Sequence, residues 1–181
     1  ALSRALSRAG HDVRVVLPRY YCIDRSKLEV VEGPLGVRMG RPGDSGPGSG
    51  QGFSGEEWAS VYKSYLPGST VEVYFLDHER FFGREGIYGS KAEPDFRDNP
   101  ERFAFLSRAA FQLCRRLSWI PDIMHAHDWP TALVPVFLSH EEKKGEFAKT
   151  TSVLTIHNLG YQGVYDKAAF DCFRLPWELF H

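Results

Sequence analysis

Cysteine is scarce in this sequence, and its placement excludes a disulfide framework. The 181 residues include three cysteines, Cys22, Cys114 and Cys172, which are far apart and form no Cys-x-x-Cys pair. Few, scattered and odd in number, they are typical of reduced thiols in a cytosolic protein. Long apolar runs are also lacking, since the stretch at 132–138 is far too short to span a bilayer.

An excess of charge of either sign is absent as well. Lys and Arg number 22, and Asp and Glu number 23, so the formal net charge is −1. A chain so close to neutrality is not expected to coat nucleic acid or an anionic membrane as its main role. Two basic pairs, at 115–116 and 143–144, lie on or just after predicted helices, where a solvated face is the simpler interpretation. The sequence therefore predicts neither nucleic acid nor membrane as a partner.

The composition otherwise has the balance of a globular protein, with 43% hydrophobic and 25% charged residues. Its length allows one substantial domain or two small ones. Apolar spacing predicts helices at 1–9, 131–140 and 166–173 and a longer one from Asp98 to Pro121. Apolar runs predict strands at 12–17, 58–66, 71–76, 120–126 and 152–156. Strands that alternate with helices predict an α/β fold with a doubly wound, mostly parallel sheet.

Local residue patterns predict an interruption between two strands, a loop and a helix cap. Residues 28–31 and 35–39 are two short β-like runs parted by Gly33-Pro34. Residues 77–89 have the glycine content of a loop, although the segment is rich in aromatics. The long helix is expected to begin with the Asp98 side chain as its cap and with a proline in its first turn.

Residues 40–55 form the clearest low-complexity segment, since 12 of the 16 are Gly, Pro or Ser. Such a segment cannot bury enough apolar surface to order itself, which predicts a flexible surface loop. Strand-like runs resume on both sides, so an insertion in a β-hairpin is favoured over a domain linker.

The chain opens with a helix, a glycine and a buried strand, which together form the second half of a βαβ unit. The first strand of that unit is expected to precede Ala1. The sequence is therefore expected to be a fragment of a longer protein.

Two predicted strand ends carry polar residues that suit chemistry. The strand at 120–126 runs into His127 and Asp128 just before a helix, and the strand at 152–156 runs into a turn at 157–163 that contains two glycines. In open α/β folds, ligands bind at the carboxyl edge of the sheet. We therefore expect both strand ends to contribute to one pocket.

The histidines at the first strand end allow more than one interpretation. His125 and His127 lie two apart on a strand, so their side chains point to one face. With Asp128 and His157 they could form the metal site of a hydrolase, although no further ligands occur at a recognisable spacing. Taken alone, His125 fits a core histidine paired with the backbone. Asp128 fits either a helix cap or a carboxylate that orients a histidine, and Trp129 fits either packing or stacking on a sugar ring.

The turn at 157–163 is more informative. It combines imidazole, amide and phenol groups with two glycines, through which the backbone can approach a ligand closely. These groups suit a ligand that bears many hydroxyls. The alternative is a tight connection capped by Asn158, which would need only one or two of these residues.

Five separate motifs together give the sequence a family resemblance that covers nearly the whole chain, apart from the Gly-rich segment. They are GHDVRVVLPRY at 10–20, FFGREGIYG at 81–89, DNPERF at 98–103, HAHDW at 125–129 and TIHNLGYQG at 155–163. In these motifs and their order the chain resembles the bacterial glycogen synthases and plant starch synthases. Several separated motifs in one order are far more specific than any one of them.

The resemblance implies a retaining glucosyltransferase of the two-domain GT-B architecture with a Rossmann-like sheet. Such enzymes move glucose from ADP-glucose to the non-reducing end of an α-1,4-glucan such as glycogen, without a metal ion or other cofactor. By motif, His157 should lie near the anomeric carbon, where its main-chain carbonyl could stabilise positive charge, and Asp128 should support the site. The implied substrate-binding residues are Asn158, Tyr88, Trp129, His127 and Gln162.

The resemblance also implies segments that this chain lacks. The family's Lys-x-Gly-Gly loop, which follows the first strand, and its C-terminal nucleotide-binding domain are expected to lie outside residues 1–181. The chain would then be a truncated N-terminal domain, inactive by itself. A bacterial member is expected in the cytoplasm and a plant or algal one in a plastid, and the oligomeric state is left open. A third hypothesis, a non-catalytic carbohydrate-binding α/β module, predicts glucan binding that survives His157→Ala.

Overall fold

The structure is a computed structural model that describes residues 1–40 and 55–180. Residues 41–54, which make up nearly all of the predicted Gly-rich loop, lie outside the described residues. Within the described ranges, no helix has both the length and the apolar character needed to cross a membrane. The chain divides into two compact units.

The helices and strands alternate only in the second half of the described chain, from the long helix Asn99–Arg116 onward, whereas four strands follow the first helix in succession. In chain order they are α1 (Leu2–Arg8), β1 (Arg14–Pro18), β2 (Glu29–Met39), β3 (Gly55–Tyr65), β4 (Glu72–Asp77), α2 (Glu79–Phe82), α3 (Asn99–Arg116), β5 (Ile123–His127), α4 (Leu133–His140) and β6 (Thr151–Thr155). Short 3-10 helices lie at Arg25–Lys27, Trp129–Thr131, Glu142–Lys144, Lys167–Phe173 and Trp177–Leu179.

The first unit comprises Ala1–Leu35 and Trp58–Phe96. Most of a four-stranded sheet, with the order β1-β4-β3-β2, belongs to it. β1 and β4 are parallel, whereas β3 and β4 are antiparallel. Period-two burial is clear on β3, where Ala59 and Val61 are buried and Ser60 between them is exposed. This alternation is what a strand with one covered face requires.

The second unit comprises Gly36–Glu57 and Arg97–His181, apart from its residues outside the described ranges. Here β5 and β6 form a parallel two-stranded sheet that packs with α3 and α4. Its buried cluster is apolar and consists of Phe111, Cys114, Met124, Ala126, Val134, Phe137, Leu138, Phe147 and Leu175. Because Met124 and Ala126 point into this cluster, the alternate residues His125 and His127 point to the exposed face of the strand.

Two arginines of α3 hold the segment around α4. Arg108 pairs with Glu141 through both guanidinium NH groups, and its guanidinium lies 3.9 Å from the ring centroid of Phe137. Arg115 makes a second pair, with Glu142 and Glu146. Fork-shaped pairs of this kind fix direction as well as distance. They therefore help to hold the end of α4, a helix that packs on β5, against α3.

Three local predictions are corrected by the structure. The β-like runs at 28–31 and 35–39 form one strand, because Gly33 absorbs a φ of 79° and Pro34 lies on the outermost strand, where a missing N–H is tolerated. The predicted loop at 77–89 contains α2, which is capped when His78 Nδ1 accepts a hydrogen bond from the Phe81 N–H at 3.3 Å. Asp98 occupies the N-cap of α3, but its side chain does not cap the helix, since its φ of −91° and ψ of 12° are not the extended values that capping needs.

Candidate active site

The two polar strand ends lie side by side, as predicted. β5 and β6 are parallel, and their register pairs His127 with Thr155. The Asp128 N–H donates to the carbonyl of Thr155 at 2.8 Å, so the pairing continues one residue past the last strand position. This places Asp128 and His157 at the same carboxyl edge of the sheet, which is the edge where ligands bind in α/β folds.

Asp128 joins the two strand ends through its side chain. Its Oδ1 accepts a hydrogen bond from the main-chain N–H of His157 at 2.6 Å. The residue has a φ of 57° and a ψ of −177°, a combination that non-glycine residues seldom adopt. Of the two roles that the sequence allowed, the carboxylate does not cap the following helix and instead holds a histidine.

Thr131 fixes the main chain at the end of β5. Its Oγ1 accepts from the His127 N–H at 2.6 Å and donates to the His127 carbonyl at 2.9 Å. Sequence reasoning did not single out Thr131. The available signal was a threonine four residues after a strand-end histidine, at the start of a helix, where hydroxyl groups commonly bind nearby main-chain groups.

Three imidazole rings form a row on the exposed face of the sheet. The ring centroids of His125 and His127 are 4.3 Å apart, and those of His127 and His157 are 5.3 Å apart, each pair with an interplanar angle of 22°. His127 Nδ1 lies 3.1 Å from His157 Nε2. The period of two along β5 aligns the first two rings, and the parallel pairing with β6 brings in the third.

His125 is not the core histidine that the sequence favoured. The residue is exposed, and its Nε2 lies 2.7 Å from the hydroxyl of Thr155 on the neighbouring strand. The core interpretation was wrong because β5 turns its even-numbered residues, Met124 and Ala126, toward the apolar cluster. Its two odd-numbered histidines therefore share the open face.

The electrostatic environment of the row keeps its central ring neutral. Partial burial lowers the pKa of His127, and the neighbouring imidazoles of His125 and His157 lower it further, while the carboxylate of Asp128 acts in the opposite direction. Since an unperturbed histidine titrates near 6.5, a lowered pKa leaves His127 uncharged at neutral pH. A neutral imidazole can donate through one nitrogen and accept through the other.

The polar side chains of the following turn fold back on their own main chain. Asn158 Oδ1 accepts from the Gly160 N–H at 2.9 Å, and Gln162 Nε2 donates to the Leu159 carbonyl at 2.9 Å. Asn158 therefore makes the turn that the simpler interpretation required. Both side chains are exposed in the structure, and the predicted contacts of Asn158 and Gln162 with substrate remain predictions.

Trp129 packs against the turn from the protein side. Its ring lies edge-on to Phe103, with centroids 4.8 Å apart, and 6.0 Å from the ring of Tyr165. A Cβ added to Gly163, which has a φ of 60°, would lie 2.3 Å from Trp129 Cε3. Packing is thus one role of Trp129, and its predicted place beside a sugar stays a prediction.

Tyr88 belongs to the first unit, unlike the other predicted site residues. It lies in a tightly folded loop, where its carbonyl accepts from the Phe96 N–H at 2.9 Å and its side chain is 47% exposed. A Cβ on Gly86 or Gly89 would collide with main-chain atoms of this loop, so these two of the motif's three glycines are required by its fold. A role of Tyr88 in binding substrate stays a prediction.

The metal alternative gains no ligand set from the geometry. In the described part of the chain, no group of three or more His, Cys, Asp or Glu side chains is arranged to hold a metal ion. Asp128 in particular directs Oδ1 to a main-chain N–H. The described residues therefore give no structural support to the proposed hydrolase site.

Comparison with known proteins identifies the family. A family model described as the starch synthase catalytic domain matches residues 1–181, the whole chain. The chain belongs to this family. The match to the starch synthase catalytic domain includes the motifs at both strand ends.

Similar members of the starch synthase catalytic domain family are bacterial glycogen synthases. The chain is 52% identical over 181 residues to the glycogen synthase of Treponema denticola, covering 100% of this chain and 34% of that protein. It is 42% identical over 182 residues to glycogen synthase 1 of Geobacter sulfurreducens and 41% identical over 182 residues to the glycogen synthase of Myxococcus xanthus. These two alignments cover 99% of this chain and 34% and 35% of the respective proteins. The chain thus spans about a third of the length of the curated relatives that it matches.

A solved structure confirms the fold. The catalytic domain of starch synthase IV from Arabidopsis thaliana, bound to ADP and acarbose, superimposes with a TM-score of 0.78 at 24% identity. The match covers 98% of this chain and 33% of that one. The predicted α/β fold of the GT-B starch synthase type is therefore confirmed. In place of one mostly parallel sheet, the described strands form a mixed four-stranded sheet and a parallel two-stranded sheet.

Proposed function

We propose that this chain forms part of a glycogen or starch synthase, a retaining glycosyltransferase that transfers glucose from ADP-glucose to the non-reducing end of an α-1,4-glucan. Family membership supports the class of enzyme. The observation that carries the assignment of the site is the hydrogen bond between the Asp128 carboxylate and the His157 N–H. It joins the two family motifs at one sheet edge and holds the residue assigned to the sugar.

In this proposal, His157 lies beside the anomeric carbon of the transferred glucose. The transition state has oxocarbenium character, so electron-rich oxygens held in place beforehand stabilise it better than mobile ones. The Asp128 carboxylate holds the N–H of His157 on one side, and the Asn158 turn restrains the chain on the other. The main-chain carbonyl of His157 is then a preorganised oxygen near the developing positive charge.

Asn158, Gln162 and Trp129 would contact the sugar. The two side-chain amides suit hydroxyls, and the indole supplies an aromatic surface on which a sugar ring stacks. Nothing in the proposed reaction needs a metal ion, because charge is stabilised by oxygen atoms and hydrogen bonds. The donor, ADP-glucose, and the acceptor, a glucan, are the proposed partners.

A cytoplasmic location belongs to the same proposal. The similar proteins are bacterial glycogen synthases, and Cys22, Cys114 and Cys172 are all free thiols in the structure. Free thiols are typical of proteins in a reducing compartment.

The experiment measures glucose transfer by the full-length protein that contains this chain. Labelled ADP-glucose and UDP-glucose are each offered with glycogen, and the product is digested with an exo-acting enzyme specific for α-1,4 linkages. We expect incorporation from ADP-glucose that the digestion releases completely. His157→Ala should lower transfer strongly but leave a measurable residue, because it removes the ring and keeps the main-chain carbonyl. His140→Ala, at an exposed position on α4, should leave transfer unchanged.

Two outcomes would overturn the proposal. Absence of transfer from either donor by folded wild-type protein would remove the transferase assignment. Glucan binding without transfer, retained in His157→Ala, would favour a carbohydrate-binding module instead. The 181-residue chain assayed alone is expected to be inactive.

A further inference from the structure

His157 is held at two points, and only one of them is its main chain. Asp128 binds its N–H at 2.6 Å, while His127 Nδ1 lies 3.1 Å from its ring Nε2. The residue lies after the end of β6, in an exposed turn. An exposed side chain in a turn samples several rotamers unless a contact selects one. The imidazole of His127 is the contact that does so here.

His127 is itself well fixed. It ends β5, its main-chain N–H and carbonyl are both bound by the hydroxyl of Thr131, and its ring stacks on His125 with centroids 4.3 Å apart. A strand residue held in this way is a more rigid support than any residue of the turn. The fixed ring of His127 on the strand therefore restricts the ring of His157 in the turn through their direct contact.

The contact also couples the protons of the two rings. Two nitrogen atoms 3.1 Å apart need one hydrogen between them, so one ring donates and the other accepts. Because the second nitrogen of a neutral imidazole has the complementary role, the tautomer of His127 dictates whether Nδ1 of His157, the nitrogen outside the contact, carries a proton or a lone pair. The lowered pKa of His127, caused first by burial and then by His125 and His157, favours this neutral state.

We propose that His127 is a positioning residue, which fixes the rotamer and tautomer of the His157 ring and acts on the sugar only through it. This inference rests on the proposed function and differs from direct substrate binding by His127. A direct contact would strengthen binding of the ground state and transition state alike, and its loss would raise KM. Loss of a positioning contact lowers kcat, because the reacting groups spend less time correctly aligned.

Matched variants of the full-length protein separate these possibilities. His127→Asn keeps a polar atom at the same distance from Cβ as Nδ1, whereas His127→Leu removes it and keeps a similar volume. His140→Asn is the control for an equivalent substitution at an exposed site. We expect His127→Leu to lower kcat by about 10- to 100-fold with a smaller change in KM for ADP-glucose, and His127→Asn to restore most of the loss. In the background of His157→Ala, His127→Leu should have little further effect, because the two residues act as a unit.

A second readout does not depend on activity. The 15N chemical shifts of the His157 ring report its tautomer, and we expect them to change in His127→Leu but not in His140→Asn. Unchanged 15N shifts of the His157 ring in a folded His127→Leu variant would overturn the inference. So would independent, multiplying effects of His127→Leu and His157→Ala on kcat, or an effect of His127→Leu on KM alone. If the wild-type protein transfers no glucose, the proposed function fails, while the ring shifts still decide whether His127 positions His157.

Discussion

The Asp128 carboxylate accepts the His157 main-chain N–H at 2.6 Å and so ties the end of β5 to the turn after β6. Between these residues lie two 3-10 helices, α4 and the whole of β6. The hydrogen bond therefore closes a long excursion of the chain at the sheet edge. Asp128 reaches it from a φ of 57°, a conformation that costs free energy and persists only where the surroundings hold it.

Replacing Asp128 should make the main chain at His157 more mobile only where the new side chain lacks a hydrogen-bond acceptor. Asp128→Asn keeps a side-chain oxygen that can accept the hydrogen bond, so we expect nearly wild-type protection of the His157 amide. Asp128→Ala removes the acceptor and should increase hydrogen exchange at that amide, with a loss of about 1–3 kcal/mol in the free energy of unfolding. Asp128→Gly is the control, since it also lacks the acceptor but relieves the backbone strain. Equal protection of the amide in Asp128→Ala and the wild type would show that the hydrogen bond does not order the turn.

Stability should decrease on acidification through His127. Its pKa is lowered in the folded protein, so the unfolded chain, with a pKa near 6.5, binds the proton first as the pH falls. The contribution of His127 to the free energy of unfolding is complete above pH 6.5. It is lost as the pH falls from 6.5 through the lowered pKa of His127 in the folded state. Urea unfolding at a series of pH values should show a shallower dependence for His127→Asn than for the control His140→Asn. An NMR titration midpoint of His127 at or above 6.5 would contradict this prediction.

Gly163 should tolerate no side chain, for two separable reasons. Its φ of 60° disfavours any L residue, and a Cβ would lie 2.3 Å from Trp129 Cε3. Gly163→Ala should therefore lose about 1–2 kcal/mol from the backbone and about 1–3 kcal/mol from overpacking. Gly68→Ala is the matched control, because Gly68 has a φ of 68° but no atom within 4 Å of the added Cβ. Thermal unfolding measures both variants, and equal destabilisation would mean that the indole moves aside freely.

The three thiols should differ in reactivity toward a thiol reagent. Cys22 is exposed, whereas Cys114 and Cys172 are buried. Burial also raises the pKa of the Cys172 thiol, and the thiolate is the reactive form. In the folded chain we expect Cys22 alone to react rapidly, and its substitution in Cys22→Ser to remove that fast phase. Rapid labelling of Cys172 in folded protein, located by peptide mass analysis, would show that its surroundings open readily.

Much of the site could be predicted from local patterns. The alternation along 123–127 places His125 and His127 on one face, and polar residues after two apolar runs indicate neighbouring strand ends. Both expectations are confirmed by the parallel pairing of β5 and β6. Helix α3 could also be predicted from the sequence, because its apolar residues recur at helical spacing.

Other features depend on partners that are distant in the chain. Which face of β5 is covered follows from the cluster around Phe111 and Phe137, and this placed His125 in the open rather than in the core. The short helix α2 forms inside a glycine-rich segment because Phe81 and Phe82 find a buried environment. Neither the exposure of His125 nor the formation of α2 can be predicted from the few residues on either side.

The order of residues along the chain decides strand periodicity, helix spacing and the chemical groups at each strand end, because these depend on backbone geometry within a few residues. The contact of His127 with His157 and the bond from Asp128 were decided by tertiary structure alone. Each joins groups about 30 residues apart, as their separations of 30 and 29 positions show. Such contacts exist only once packing of the helices against the sheet has set the register of β5 on β6.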